Sequence, residues 1–222
     1  MIRGNITKVL EDQLAQLIKC TVLPPGSYLA GGTALYFYFK HRISVDLDFF
    51  TPINFNTEIF ISNIKNCFDI VNVELMEKNT IILFLSEKKI KFSLFVFPYK
   101  LLSETQSIVL PSNVSCPLAS LDDIEAMKAV AVSQRGSVKD FIDLYFILKK
   151  TRHSFNDIQE SVEKKYDIKG EYGYQLKTSL VYFDDAEKEV DNIVMIRKNN
   201  KKERITGKEW QEMKKFFKEF VK

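Results

Sequence analysis

The sequence predicts an α+β protein, a mixed sheet with flanking helices followed by a helical C-terminal half. Three observations carry the prediction. Short strand-like runs crowd the first half, at residues 70–76, 80–85 and 90–97, with Asn79 and residues 86–89 as turns. Capped, amphipathic helical patterns crowd the second half. Between an early apolar run and the alternating residues 45–50 stands Gly31-Gly32, a turn that opens a helix. Strands joined by short turns form a meander, and helices on one side make a two-layer α+β fold.

The elements follow in order. Residues 6–20 repeat Ile6, Val9, Leu10, Leu14, Leu17 and Ile18 at helical spacing, with Asn5 as cap. Pro24-Pro25-Gly26 ends that helix and the first strand follows. Residues 51–56 read as loop and 58–67 as a helix with Ile59, Phe60 and Ile64 inward. Residues 98–116 read as irregular. Ser120-x-x-Asp123 has the form of a capping box, opening a helix with Ile124, Met127 and Ala131 on one stripe. Ser137-x-x-Asp140 repeats the form ahead of Phe141, Leu144, Tyr145 and Leu148. Residues 153–166 and 172–183 read as helices, and 184–204 as a linker with a short strand at 193–197. Thr206-x-x-Glu209 caps a last helix with Trp210, Met213, Phe217 and Phe220 inward. The change from strand-rich to helix-rich divides the chain into a core at residues 1–100 and a mainly helical region packed on it at 101–222.

Composition narrows the class. The chain has 222 residues, 45% hydrophobic and 27% charged, enough to bury a real core, and its 18 Phe and 9 Tyr make that core aromatic. A net charge of +3 is too small to argue for nucleic acid, although basic residues crowd towards the C-terminus. Arg197, Lys198, Lys201, Lys202 and Arg204 read as a solvated basic tail or as a track for a polynucleotide backbone. Cys20, Cys67 and Cys116 are far apart, odd in number and without a C-x-x-C pair, which predicts neither a disulfide framework nor a zinc site and fits a reduced cytoplasm. Residues Met1 to Gly4 lead into a charged amphipathic segment without the apolar core of a signal peptide. No apolar run approaches the roughly 20 residues of a spanning helix. The expectation is a soluble, cytoplasmic protein with no membrane partner.

The chemistry concentrates at residues 27–50. Asp46 and Asp48 stand at i and i+2, so a strand points both carboxylates to one side while Val45, Leu47 and Phe49 face a core. Adjacent carboxylates repel unless a cation, a proton or a base lies between them. Two solvent-facing charges on an edge strand fit this spacing, and so does a magnesium site. Gly31 and Gly32 by themselves read better as a tight strand-to-helix turn than as a phosphate site, and Thr33 adds a hydroxyl at the helix start, where backbone N–H groups favour an anion. His41 and Arg42 are counter-charges for the acidic strand or phosphate contacts. Lys128 lies on an apolar stripe and, by itself, reads better as a lysine snorkelling to the rim of the core than as a triphosphate contact. Asp140 by itself reads as a capping acid and Asp143 as surface charge, in the balanced cluster QRGSVKDFIDL.

The run GGTALYFYFKHRISVDLDFF resembles the signature of the AbiEii/AbiGii toxin-type nucleotidyltransferases. The likeness continues in FSLFVFPYKLL, PLASLDDIEAMKAVAVSQRGSVKDFIDLYFIL and SLVYFDDAE, and so covers roughly residues 25–190. It implies a polymerase-β-like nucleotidyltransferase core and a magnesium-dependent transferase, with manganese as a substitute. It implies the toxin of a toxin–antitoxin or phage-defence pair, with an NTP as donor, a tRNA 3′ end or other RNA as acceptor, and a cognate antitoxin as partner. By the same likeness Gly31 and Gly32 hold the triphosphate, Asp46 and Asp48 bind metal, Lys128 contacts the nucleotide, and Asp140 acts as base or substrate contact. Thr33 and Arg42 join Gly31 and Gly32 as nucleotide contacts on the reading of the residues themselves. The sequence departs from the pattern at Ser93, where the superfamily commonly places a third carboxylate. That leaves Asp140 or Glu74 to take the role, or the chain as a nucleotide-binding module with weak or no turnover. A transferase that modifies protein is the remaining alternative.

Overall fold

The computed structural model describes residues 6–87, 89–110, 113–168, 170 and 172–222. The expected cap Asn5, the reading of Met1 to Gly4 and Lys88 in the turn at 86–89 lie outside the described residues. The chain forms two compact units. One holds the described residues up to Phe37 with Ser44–Tyr99 and Thr105–Ala119; the other holds Tyr38–Ile43, Lys100–Glu104 and Ser120–Lys222.

The first unit is built on a seven-stranded mixed sheet in the order β3-β4-β5-β2-β1-β7-β6. Its strands are β1 (Tyr28–Leu29), β2 (Leu47–Thr51), β3 (Val71–Glu77), β4 (Thr80–Leu85), β5 (Ile90–Val96), β6 (Gln106–Leu110) and β7 (Val114–Leu118). Alternation decides which side chains reach the core. Leu47, Phe49, Ile81, Leu83, Leu85, Phe92 and Leu94 are all 0% exposed. Helix α1 (Ile6–Lys19) packs on β7, and α3 (Thr57–Lys65) on β3. Phe60 of α3 stacks on Phe92 at 5.7 Å between ring centroids. Each such aromatic contributes about 1.5–3 kcal/mol by leaving water. Strand β2 is antiparallel to β1 and parallel to β5. Helix α2 (Gly31–Phe39) leaves β1 through a single residue, Ala30.

Two expectations are corrected in this unit. Residues 98–116 are not irregular throughout, because β6 and β7 form an antiparallel hairpin with Ile108 opposite Cys116. The pattern was hidden because β6 is an edge strand with mostly exposed residues and β7 carries Pro117, a residue that argues against a central strand. Cys20 and Cys67 are not independent thiols. Each lies just past a helix C-terminus, α1 for one and α3 for the other, and a disulfide joins them with their Cα atoms 6.0 Å apart. A separation of 47 residues left no local spacing to read.

The second unit is mainly helical: α4 (Leu121–Arg135), α5 (Val138–Thr151), α6 (Phe155–Tyr166), α7 (Tyr172–Ser179), α8 (Asp184–Glu187) and α9 (Gly207–Phe220). Phe141 is its hub, with ring centroids 5.1 Å from Phe183, 5.4 Å from Phe217 and 6.1 Å from Trp210. The short strand expected at 193–197 is β8 (Val194–Ile196), but the rest of the segment is more than a linker: it also holds α8 and β9 (Lys202–Arg204), which pairs with β8 as a hairpin. Residues 41–43 extend this hairpin: Ile43 N donates to Val194 O and Ile196 N to His41 O, each at 2.9 Å. The basic run lies on this hairpin, where Lys198, Lys201 and Arg204 are exposed. Arg197 forks onto Glu209 at 2.5 and 2.7 Å, and Lys201 pairs with Glu203 at 2.5 Å.

The caps part company in an informative way. Thr206 and Glu209 form the expected reciprocal box. Ser120 accepts from Asp123 N at 3.0 Å, but the Asp123 carboxylate faces inward to Lys165 Nζ at 2.6 Å and to Leu102 N at 2.9 Å. Ser137 makes no cap and donates instead to Glu189 at 2.7 Å, which frees Asp140 from the capping role. Among the described residues, no helix is long and apolar enough to cross a membrane.

Candidate active site

The first unit brings together Gly31, Gly32, Thr33, Asp46, Asp48 and Ser93. Ala30 N donates to Asp48 O at 3.0 Å, which sets the turn between β1 and α2 beside the acidic strand. Gly31 has φ +67°, a left-handed value that glycine tolerates best, and a Cβ there would meet Asp48 Oδ2 at 3.3 Å. The glycine thus keeps a space open beside the carboxylate at the first residue of α2, where backbone N–H groups favour an anion. Thr33 is 1% exposed, and its hydroxyl donates to Asp46 O at 2.5 Å, with Ser44 Oγ 3.0 Å away. Its side chain braces the segment that carries Asp46.

Asp46 lies one residue before β2 and Asp48 is the second residue of that strand. Both are partly exposed while Leu47 and Phe49 are buried, the alternation that sends two carboxylates one way and two apolar side chains the other. Ser93 of β5 pairs directly with Asp48 and is 2% exposed. Glu74 is taken up on β3 by Lys91, 3.5 Å away. Among the described residues, no three Asp, Glu, His or Cys side chains group as an all-protein metal cage. Two hard carboxylates beside an open space still fit magnesium, which is often held by one or two carboxylates and completed by water and substrate phosphates.

The second unit brings Arg42, Lys128 and Asp140 together, and adds His41, Arg135 and Asp143. Lys128 is 7% exposed, and its ammonium donates to Asp140 Oδ1 at 2.9 Å and Asp143 Oδ2 at 2.7 Å. Burial alone would push this ammonium towards its neutral form, but Asp143 and Asp140 outweigh it and hold the lysine above its ordinary pKa. Asp140 is buried, which would raise its pKa, yet Lys128 and Arg135 hold it below the usual carboxylate value. Asp143 is not the surface charge its sequence context implies. It is 0% exposed, and against burial, Arg42 and Lys128 hold its carboxyl well below the ordinary value. Burial lowers the His41 pKa more than Asp143 raises it, so the ring is neutral near pH 7.

His41 and Asp143 are the residues that sequence reasoning misplaced. One signal was present: Asp140 and Asp143 stand at i and i+3, on one side of a helix whose next turn supplies buried Ile147.

The model of the family "Nucleotidyl transferase AbiEii toxin, Type IV TA system" matches residues 14–222. An uncharacterized protein of Aquifex aeolicus is 37% identical over 197 residues, covering 88% of this chain and 86% of the relative. Among solved structures, MenT4, a nucleotidyltransferase toxin of Mycobacterium tuberculosis, superposes with a TM-score of 0.59 at 13% identity, covering 100% of this chain and 85% of that one. The JHP933 protein of Helicobacter pylori gives 0.52 at 16% identity, covering 85% and 96%. At these identities the two structures share the fold, and the family match supplies the class, a nucleotidyltransferase. The chain belongs to the AbiEii nucleotidyl transferase toxin family of type IV toxin–antitoxin systems.

Proposed function

We propose that the protein transfers a nucleotide from an NTP to the 3′ end of an RNA, a tRNA in particular, with magnesium held by Asp46 and Asp48. The observation that carries this reading is the space kept open by Gly31 beside the Asp48 carboxylate at the start of α2. The N–H groups of that first turn receive phosphate oxygens, and the glycine lets the backbone approach them. Thr33 acts as the brace for Asp46. When bound, magnesium would neutralise triphosphate charge and favour in-line displacement. The acceptor 3′-oxygen forms the bond to the α-phosphorus, the α–β bond breaks, and pyrophosphate leaves. Lys128 meets the phosphate charge: two of its three N–H groups are held by carboxylates, which leaves one for an anion. Asp140, low in proton affinity and gripped by Arg135, holds that lysine rather than acting as base. The acceptor proton passes to solvent water, since a serine is no base. An antitoxin encoded beside the gene restrains the activity in the cell, as the family description of a type IV pair supports.

A second reading rests on Ser93. With a hydroxyl where a third acid would stand, the chain binds nucleotide and turns over slowly or not at all. Sequencing tRNA 3′ ends after expression separates the two. Added nucleotides support transfer to RNA. Unchanged ends, together with NTP binding by the purified chain, support the binding module. Label appearing on protein would redirect the acceptor assignment.

A further inference from the structure

We propose that Arg42 and His41 serve the nucleotide only through Asp143, as positioning residues that fix the Lys128 ammonium. This rests on the reading of Lys128 as a phosphate contact. Arg42 was expected at the nucleotide, but the geometry gives its guanidinium other work. Nε and Nη2 both donate to Asp143 at 2.7 Å, and Nη1 donates to Ile43 O at 3.0 Å. The side chain is 5% exposed, so every guanidinium nitrogen has a protein acceptor and a phosphate could engage the fork only by displacing Asp143.

Asp143 is saturated in turn. Its Oδ1 accepts from His41 Nε2 and Arg42 Nε, and its Oδ2 from Arg42 Nη2 and Lys128 Nζ, all at 2.7 Å. Four donors fill the lone-pair positions of a carboxylate, which leaves it neither metal ligand nor base. What remains for Asp143 is to carry the rigidity of residues 41–43 to Lys128. That rigidity is built in, because both His41 and Ile43 are hydrogen-bonded through their backbones to the β8 strand. Arg135 grips Asp140 on the other side of the ammonium at 2.7 Å. The cations Arg42, Lys128 and Arg135 exceed the carboxylates Asp140 and Asp143 by one positive charge, and His41 is neutral. A cluster with surplus positive charge and one ammonium N–H without a carboxylate is suited to an anionic ligand.

A double-mutant cycle on the full chain tests the proposal, with calorimetry of ATP, GTP, CTP and UTP, each with magnesium. Lys128→Gln should weaken binding of the preferred NTP by about ten- to a hundredfold, the range for loss of a charge-assisted contact. Arg42→Gln combined with Asp143→Asn removes both buried charges together and should weaken it to a similar degree. Adding that pair to Lys128→Gln should cost nothing more. Arg42→Lys, which keeps the charge and loses the fork, should fall between wild type and the pair, and its effect should also vanish in the Lys128→Gln background. This single change keeps the test open if the pair fails to fold. Losses that multiply in the Lys128→Gln background would overturn the proposal, since Arg42 would then touch the nucleotide itself. Unchanged binding in Lys128→Gln would instead refute the reading of Lys128.

Discussion

Asp48 and Ser93 are direct neighbours on the parallel strands β2 and β5. Residues so paired share a face, so the hydroxyl stands where a third carboxylate would complete a metal site. Ser93→Asp should therefore act in two directions. Without metal, the new charge repels Asp48, and thermal melting in EDTA should fall by several degrees, at about 2–4 °C per kcal/mol for a chain of this size. With millimolar magnesium the loss should be recovered and transfer should rise. A melting temperature indifferent to magnesium would show that the two positions do not share a cation.

Gly31 is conformationally committed. Gly31→Ala places a Cβ 3.3 Å from Asp48 Oδ2 at φ +67°, so strain and crowding act together. The expected cost is about 1–2 kcal/mol in urea unfolding, the scale of a left-handed residue with a side chain. NTP binding should weaken at least tenfold in calorimetry. Wild-type affinity would mean that the open space beside Asp48 is not used by the ligand.

The disulfide between Cys20 and Cys67 closes a loop of 47 residues. Chain-entropy arguments put such a link at about 2–4 kcal/mol. Dithiothreitol should lower the melting temperature of wild type and leave a Cys20→Ser, Cys67→Ser variant unaffected. Thiol titration of the oxidised protein should find Cys116 alone, and only after unfolding, because burial pushes its thiol up to about 12.

Glu209 gives a stability term with a defined sign. The Arg197 fork and the Thr206 cap hold its pKa at about 2, against 4.5 unperturbed. The folded state thus binds fewer protons than the unfolded chain between those values, so stability rises with pH across the interval. The contribution is fully present above pH 4.5 and is lost as pH falls towards 2. Glu209→Gln should flatten that part of the stability–pH curve, measured by urea unfolding at each pH. An unchanged slope would remove Glu209 as its source.

What the sequence revealed, and what it hid, follows the range of each interaction. β4 and β5 were legible because their runs of β-branched, aliphatic and aromatic residues are set off by the turns at Asn79 and residues 86–89, a pattern local to the strands. The last helix was legible because Thr206 and Glu209 meet within one turn. The β6–β7 hairpin was hidden because an exposed edge strand needs no apolar alternation. The disulfide, the ion pair of Asp123 with Lys165 and the hold of Arg42 on Asp143 span 47, 42 and 101 residues, which no window reaches. Asp140 shows the local pattern misleading: S-x-x-D is the form of a cap, but Ser137 turns to Glu189 and Asp140 to Lys128 and Arg135. The acidic pair Asp46 and Asp48 and the glycine turn were legible because both are contiguous.

The central claim, that Asp46 and Asp48 serve metal-dependent transfer to RNA, is tested most directly by label transfer from α-labelled NTPs to tRNA with purified protein. Wild type with magnesium should label the 3′ end, EDTA should abolish the label, and Asp46→Ala and Asp48→Ala should each reduce it about a hundred- to a thousandfold or more, on the scale of losing a principal transition-state charge contact, while melting as cooperatively as wild type. Full transfer by either variant would contradict the account.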